Sequence, residues 1–324
     1  MTTQTMPTEN ISIELCATNT QEPKMLTDFG FSRYLYVLDD VKSSLVIAIL
    51  ERNRDEALFW AYELYFSGLK ADVFCILEQM VSLMYVSLNP RLGKFLEAKK
   101  REWDETGAYY IVATFVYNMI SSPYDISGFV KMFCKDPDLI KHIDEHLNTV
   151  CHSLHDTLKM SDTSSSSQTP VPKQVSKSRI YIVAEQKDAI KYITVNHSKP
   201  HYLLRKILKY PVRKNTLAIF DHEHGIYTHE QLQSLYWYNW LYYATASPLW
   251  SDRISKYGGE INHERLRIDF PNHEQEEAFY EKYNLEPDEQ PKEIQEMNIG
   301  TGTEEQLTWT EFYEKYAKYA KYAK

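Results

Sequence analysis

The sequence predicts a mixed fold, with an all-α helical N-terminal domain followed by an α+β C-terminal domain that carries a small antiparallel sheet. Three observations lead there. Helical signals run without interruption from residue 31 to 160, the apolar period changes to two beyond residue 179, and a Ser-rich polar stretch separates the two regimes. At 324 residues the chain is long enough to build two cores of ordinary size without disulfides or metals.

Residues 1–30 are rich in Thr, Gln and Asn with little apolar periodicity, and are expected to be disordered or loosely docked. Asp40 then opens a helical run through Leu50. Residues 51–69 form the clearest element. Asn53 or Asp55 can cap its start, Gly68 suits the left-handed position after its last turn, and apolar residues from Ala57 to Phe66 cover nearly its whole circumference. Such a helix belongs at the centre of a domain.

Asp72 opens a run through Val86 that Asn89-Pro90 breaks, and a further run reaches Trp103. An apolar helix spans about residues 106–120, Ser121-Ser122-Pro123 stops it, and a short helix lies near Gly128. The last helix of the domain has Asp136 as cap, Pro137 at its first position and Asp138 beside its positive end. Behind them Ile140, Ile143, Leu147, Val150 and Leu154 form one stripe. About six helices joined by short turns would allow stacked pairs of the HEAT or tetratricopeptide kind, but no fixed internal period is present.

Residues 161–178, SDTSSSSQTPVPKQVSKS, read as a linker, because so polar a stretch buries too little apolar area to order itself. The α+β domain is expected over 179–300. Hairpins are expected at 180–195 and at 217–227, Leu266, Ile268 and Phe270 alternate as a half-exposed strand, and helices start at Thr228, Ser247-Pro248 and Asn272. The first of these should run through Tyr243. Residues 301–324 form a helical tail in which Phe279-Tyr-Glu-Lys-Tyr283 recurs as Phe312-Tyr-Glu-Lys-Tyr316 before three Lys-Tyr-Ala units. A three-residue repeat winds round a 3.6-residue helix, so a partly exposed tail is expected.

Composition bounds the function. A net charge of −9 opposes general binding to nucleic acid or anionic membranes and leaves room only for a local basic patch. Lys199, Arg205, Lys206, Lys209, Arg213 and Lys214 supply such a patch, the candidate contact for phosphates or an acidic protein surface, with solvated loop as its bland alternative. Neither a signal peptide nor a membrane-spanning stretch is visible, and no membrane partner is expected. The four cysteines, Cys16, Cys75, Cys134 and Cys151, lack metal spacing and suit reduced structural thiols in a cytosol-like compartment.

No phosphate loop, dinucleotide fingerprint, nucleophile elbow or HExxH occurs, so no catalytic residue, cofactor or metal is assigned and the chain reads as a non-enzyme. Asp138, His142, Glu145 and His146, and likewise Asp221 to His224, read as a solvated helix face and a turn in preference to metal sites. Aromatic residues make up 14% of the chain, with 25 tyrosines, a surplus that hints at partner surfaces. Tyr236, Trp240 and Tyr243 share one face of a helix; core packing is the favoured reading for them, and as surface residues they would be the candidate interface aromatics.

The segments LDDVKSSLVIAILERNRDEALFWAYELYFSGL, WSDRISKYGG and FYEKYNLEPDEQ together resemble a family of uncharacterised proteins from nucleocytoplasmic large DNA viruses, over about residues 34–316. The resemblance implies an interaction or scaffold protein of a virion or of a virus factory in the host cytoplasm, with other viral proteins as partners. It carries no catalytic residues. A nucleic-acid-associated accessory factor for viral replication, transcription or translation is the alternative. Residues 44–69 are more weakly similar to the helical collar of clamp-loader-like ATPases, which would imply a packing role only, since the phosphate loop is missing.

Overall fold

The computed structural model describes residues 29–134, 136–145, 210–213, 227–283, 286–303 and 307–319. Its described part is mainly helical with one two-stranded antiparallel sheet, the fold class expected. Helix α1 spans Leu38–Leu50, α2 Arg54–Phe66, α3 Lys70–Met80, α4 Pro90–Thr106, α5 Tyr110–Ser121 and α6 Ser127–Phe133. Residues 137–145 are also helical (α7).

Local signals set most of these bounds. Asn53 accepts the Glu56 N–H at the start of α2, and Gly68 follows its end at φ +96°. Asn89 and Pro90 start α4, and Gly107 ends it in the left-handed region. Asp136 accepts the Asp138 N–H at 3.0 Å, while Leu139 and Ile143 of α7 are buried and Ile140 only partly so. The run expected from Asp72 to Val86 is α3 followed by one π turn, Val81–Tyr85, closed by the Val86 N–H on the Val81 carbonyl.

Helix α2 is central, as its all-round apolar surface requires, and packs against α1, α3 and α5. It also buries Glu56 and Glu63, at 4% and 0% exposure, which apolar periodicity passes over. Trp60 meets Phe59 and Tyr36 edge-on and donates its indole N–H to Glu56 at 3.2 Å.

Beyond Thr228, whose capping box with Gln231 is present, α8 covers His229–Tyr238. The helix expected to continue to Tyr243 breaks at Asn239, whose amide donates to the Leu266 carbonyl at 3.1 Å, and α9 resumes over Trp240–Ala244. The break rotates the chain so that all five residues of α9 are buried. Then come α10 (Pro248–Lys256), the hairpin of β1 (Glu260–Asn262) and β2 (Arg267–Asp269) with Ile261 opposite Ile268, α11 (His273–Tyr283), α12 (Lys292–Ile299) and α13 (Trp309–Tyr319). The linker stretch and most of the other expected hairpins lie outside the described residues.

Among the described residues, the packing crosses the bounds expected for a domain over 31–160, another over 179–300 and a tail over 301–324. Phe29, Phe31, Leu35 and Val37 enter the core of the C-terminal helices, with Trp240, Trp250 and Phe279. Conversely, Tyr210, Val212, Phe312, Tyr313 and Tyr316 enter the core built by α1 to α6. Each core thus takes segments distant in sequence, and the echoed motif puts Phe279 into one and Phe312 into the other. The tail helix is docked, not free. Phe312 lies 6.2 Å from Phe129 of α6, and Tyr124 donates its hydroxyl to the Leu50 carbonyl at 2.9 Å beside Tyr316.

Trp60→Ala removes an indole that is wholly buried. It is expected to cost about 3–5 kcal/mol in chemical denaturation, the range for truncating a large core aromatic. A loss under about 1 kcal/mol would contradict the central position of α2.

Candidate interaction surface

Of the six cations expected to grip an anionic partner, Lys199, Arg205, Lys206, Lys209 and Lys214 lie outside the described residues, and Arg213 is already engaged within the chain. Its guanidinium forms a two-pronged contact with Glu56, Nε to Oε1 at 2.9 Å and Nη2 to Oε2 at 2.7 Å, and its Nη1 meets Glu51 at 2.7 Å. Its backbone N–H donates to Ser44 Oγ at 2.8 Å. Arg213 therefore cannot also serve as a free phosphate contact, a correction to the sequence reading. A buried glutamate needs a partner cation, and the distant chain supplies it.

Lys315 and the Tyr316 hydroxyl, both on α13, close on the other Glu51 oxygen at 3.1 Å each. Burial alone would push the Glu51 carboxyl up, but the hydrogen bonds and charge of Arg213, then of Lys315, hold it below the usual carboxylate range. For Arg213, burial opposes the charge, and Glu56 and Glu51 outweigh it to raise the guanidinium above its ordinary value. Burial followed by the Glu51 charge pushes the Tyr316 hydroxyl upward.

The three candidate interface aromatics are core residues. Tyr236 of α8 is 0% exposed, and Trp240 and Tyr243 of α9, beyond the break at Asn239, are 5% and 7% exposed. Tyr236 donates no face to solvent, and burial pushes its hydroxyl up to about 12 although the hydrogen bond with Asn298 works the other way. Much of the tyrosine surplus is internal in the same way, with Tyr36, Tyr62, Tyr85 and Tyr124 fully enclosed. Asp138, His142 and Glu145 are exposed on α7, His146 and residues 221–224 are outside the described residues, and among the described residues no group of metal-ligating side chains occurs. Cys75 accepts a hydrogen bond from the Gln79 amide at 3.5 Å, and Cys134 one from the Asp136 N–H at 3.3 Å. No described helix is long and apolar enough to cross a membrane.

What does face outward is a belt of aromatic rings and arginines at the C-terminal end of α2. Tyr34 and Tyr109 are each 37% exposed. Between them Phe66 stacks near Tyr109 at 6.3 Å, and the Arg33 guanidinium lies over the rings of Phe66 and Tyr34 at 5.3 and 4.7 Å. Arg33 is fixed from below by Glu63, which accepts from Arg33 Nε at 3.0 Å, Ser32 Oγ at 2.7 Å and the Tyr34 N–H at 3.1 Å.

Ser67 extends the belt to α10. Its hydroxyl accepts the Arg33 N–H at 2.9 Å, while its carbonyl accepts the Leu249 N–H at 3.1 Å and the Ser247 hydroxyl at 2.6 Å. A Cβ on Gly68 would stand 2.7 Å from Pro248, so this junction also needs glycine for room. One turn along α10 from Leu249, Arg253 lies over Trp250 at 4.5 Å and over Tyr283 of α11 at 4.7 Å. Nothing in the sequence marks this assembly, since Arg33 and Arg253 are brought together only by the folded chain.

A shallow open groove of about 690 Å³ lies elsewhere, between the start of α2 and the end of α5, with Arg52, Arg54 and Tyr117 in its walls. Arg52, at φ +58°, is committed to the α5 terminus, donating to the Ile120 and Ser122 carbonyls. No family model, curated protein or solved structure matches the chain.

Arg213→Met strands Glu56 in the interior. The expected loss at neutral pH is about 2–4 kcal/mol, less than for a fully buried pair because 26% of the Arg213 side chain still meets water. Glu51 titrates lower when folded, so its contribution is complete above the unfolded value, about 4.3, and is lost as pH falls through the folded one. Stability of the wild type should therefore fall more steeply than that of Arg213→Met on acidification below about pH 5. Parallel curves in urea titrations across that window would show that Arg213 does not hold Glu51.

Proposed function

We propose that this chain is a non-enzymatic interaction protein that engages a partner through the belt of Tyr34, Phe66, Tyr109 and Arg253. The virion or cytoplasmic virus factory of a large DNA virus, with other viral proteins as partners, is the setting that the sequence resemblance implies. One contrast supports the reading. The buried charges of Glu56, Glu63 and Arg213 are each tied to other groups of the chain, as members of a scaffold, whereas the belt leaves large aromatic area and an arginine turned toward solvent. Tyrosine and arginine side chains of this kind are the ones that carry binding energy at protein interfaces.

A photoreactive phenylalanine derivative at Tyr34, at Tyr109, or at Met132 of α6 as a control tests this. The control position is 54% exposed and lies outside the belt. Irradiation in extracts of cells that make the protein should yield the same adduct from the first two positions and none from the third, and excess untagged wild type should compete it away. Identical adducts from all three positions, or none, would contradict the proposal.

A further inference from the structure

The belt lacks hydrogen-bond acceptors where it has donors. Among the described residues Arg253 meets no carboxylate, although it is only partly exposed. Arg33 shares its one carboxylate, Glu63, with Ser32 and Tyr34, and its Nη2 is buried without a partner. Trp250, whose ring lies beneath Arg253, is fully buried with its indole N–H unpaired. The two enclosed donors, Arg33 Nη2 and the Trp250 indole N–H, cost about 1–3 kcal/mol each. Arg253 above Trp250 is a partly exposed cation that meets no carboxylate among the described residues, so the region is short of acceptors and Arg253 is the group open to one from outside. Burial first, opposed by Tyr283, and then repulsion from Arg33 lower the affinity of Arg253 for its proton, which the charge on a bound anion would reverse.

The geometry points to a carboxylate-binding site at Arg253 and Arg33, taking an Asp or Glu side chain from an acidic peptide segment of the partner. This rests on the interaction reading above and names the chemistry of the partner at that same surface. A carboxylate presents two oxygens in one plane and accepts two parallel N–H donors from a guanidinium. Arg253 is the directly reachable cation, while Arg33, 11% exposed and held by Glu63, contributes its positive charge from beneath the surface.

Single-stranded nucleic acid fits less well. It requires open ring faces for base stacking and a track of cations along the backbone. Here the rings of Phe66, Trp250 and Tyr283 already have guanidinium groups over them, the belt holds two arginines among the described residues, and the chain carries a net charge of −9. A compact pair of cations framed by aromatic side chains suits one or two carboxylates.

The test uses the full chain and a fluorescein-labelled polyglutamate peptide, followed by anisotropy at low salt, with inorganic phosphate and oligothymidylate as competitors. Saturable binding is expected. Arg253→Gln should weaken it about tenfold, the scale of one charge-assisted hydrogen bond, and Arg253→Lys should restore part of the loss. Because Arg253 lies outside the Glu63 contacts, its variants should melt with the wild type, whereas Arg33 variants test folding as well as binding.

No binding of polyglutamate, or binding unchanged in Arg253→Gln, overturns the proposal. So does oligothymidylate binding more tightly with the same dependence on Arg253, which would make the site a phosphate contact. If the adduct at Tyr34 persists while polyglutamate fails to bind, the interaction surface stands and its acidic partner falls. If the adduct is absent as well, both fall.

Discussion

The carboxylate of Glu63 has no contact with water, and its three hydrogen bonds hold residues 32–34 against the last turn of α2. Removing a carboxylate from water costs several kcal/mol even after relaxation, so the charge is tolerable only with Arg33 beside it and its oxygens filled by Ser32 and the Tyr34 backbone. This constraint fixes the N-terminal hook. Within it Leu35 adopts φ +61°, the Ser32 N–H returns to the Tyr36 carbonyl at 2.8 Å, and Phe31 and Val37 form an antiparallel bridge. Tyr36 is thereby pressed onto Phe59 and Trp60, while Phe29, Phe31, Leu35 and Val37 reach the other core. The surface belt depends on the same contact, since Glu63 sets where Arg33 lies and Arg33 sets where Tyr34 stacks.

A second ionic contact works at the opposite end of α2. Glu56 and Glu51 collect Arg213, Lys315 and Tyr316 from segments more than 150 residues away, and the apolar partners Tyr210, Val212 and Phe312 follow them into the N-terminal core. Apolar burial supplies most of the stability in such an arrangement, being non-directional and proportional to area. The buried charges supply address, because an unpaired glutamate in that core would be costly and Arg213 satisfies it from a distant segment. Helix α2 therefore holds both exchanges of chain that join the two cores.

What could be read from the sequence was local. The cap at Asn53, the glycine at Gly68, the Asn89-Pro90 break, the Thr228–Gln231 box and the central burial of α2 follow from backbone hydrogen bonding and apolar spacing within a few residues. The misread features depend on contacts across the fold. Asn239 breaks a good aromatic helix where the Leu266 carbonyl receives its amide, so the helix expected to run through Tyr243 is two helices, while Trp240 and Tyr243 take the core place that their aromatic character favoured. Arg213 resembles its basic neighbours in sequence and differs only in having Glu51 and Glu56 opposite it. The exchange of segments between the two cores was illegible for a similar reason, since composition marks a polar stretch but not which core its flanking segments enter. The belt at Tyr34 had no sequence signal, as its arginines lie 220 positions apart.

If Glu63 locks the hook into a single cooperative unit with both cores, native-state hydrogen exchange resolves it most directly. The amides of Phe31 and Tyr34, bonded to the Tyr243 carbonyl and to Glu63, should exchange only through global opening. Their opening free energy and its dependence on denaturant should then coincide with those of Leu64 in α2. Exchange of these amides through a small, denaturant-insensitive opening while α2 stays protected would contradict the account, because it would leave the hook as a local attachment and the cores as independent bodies.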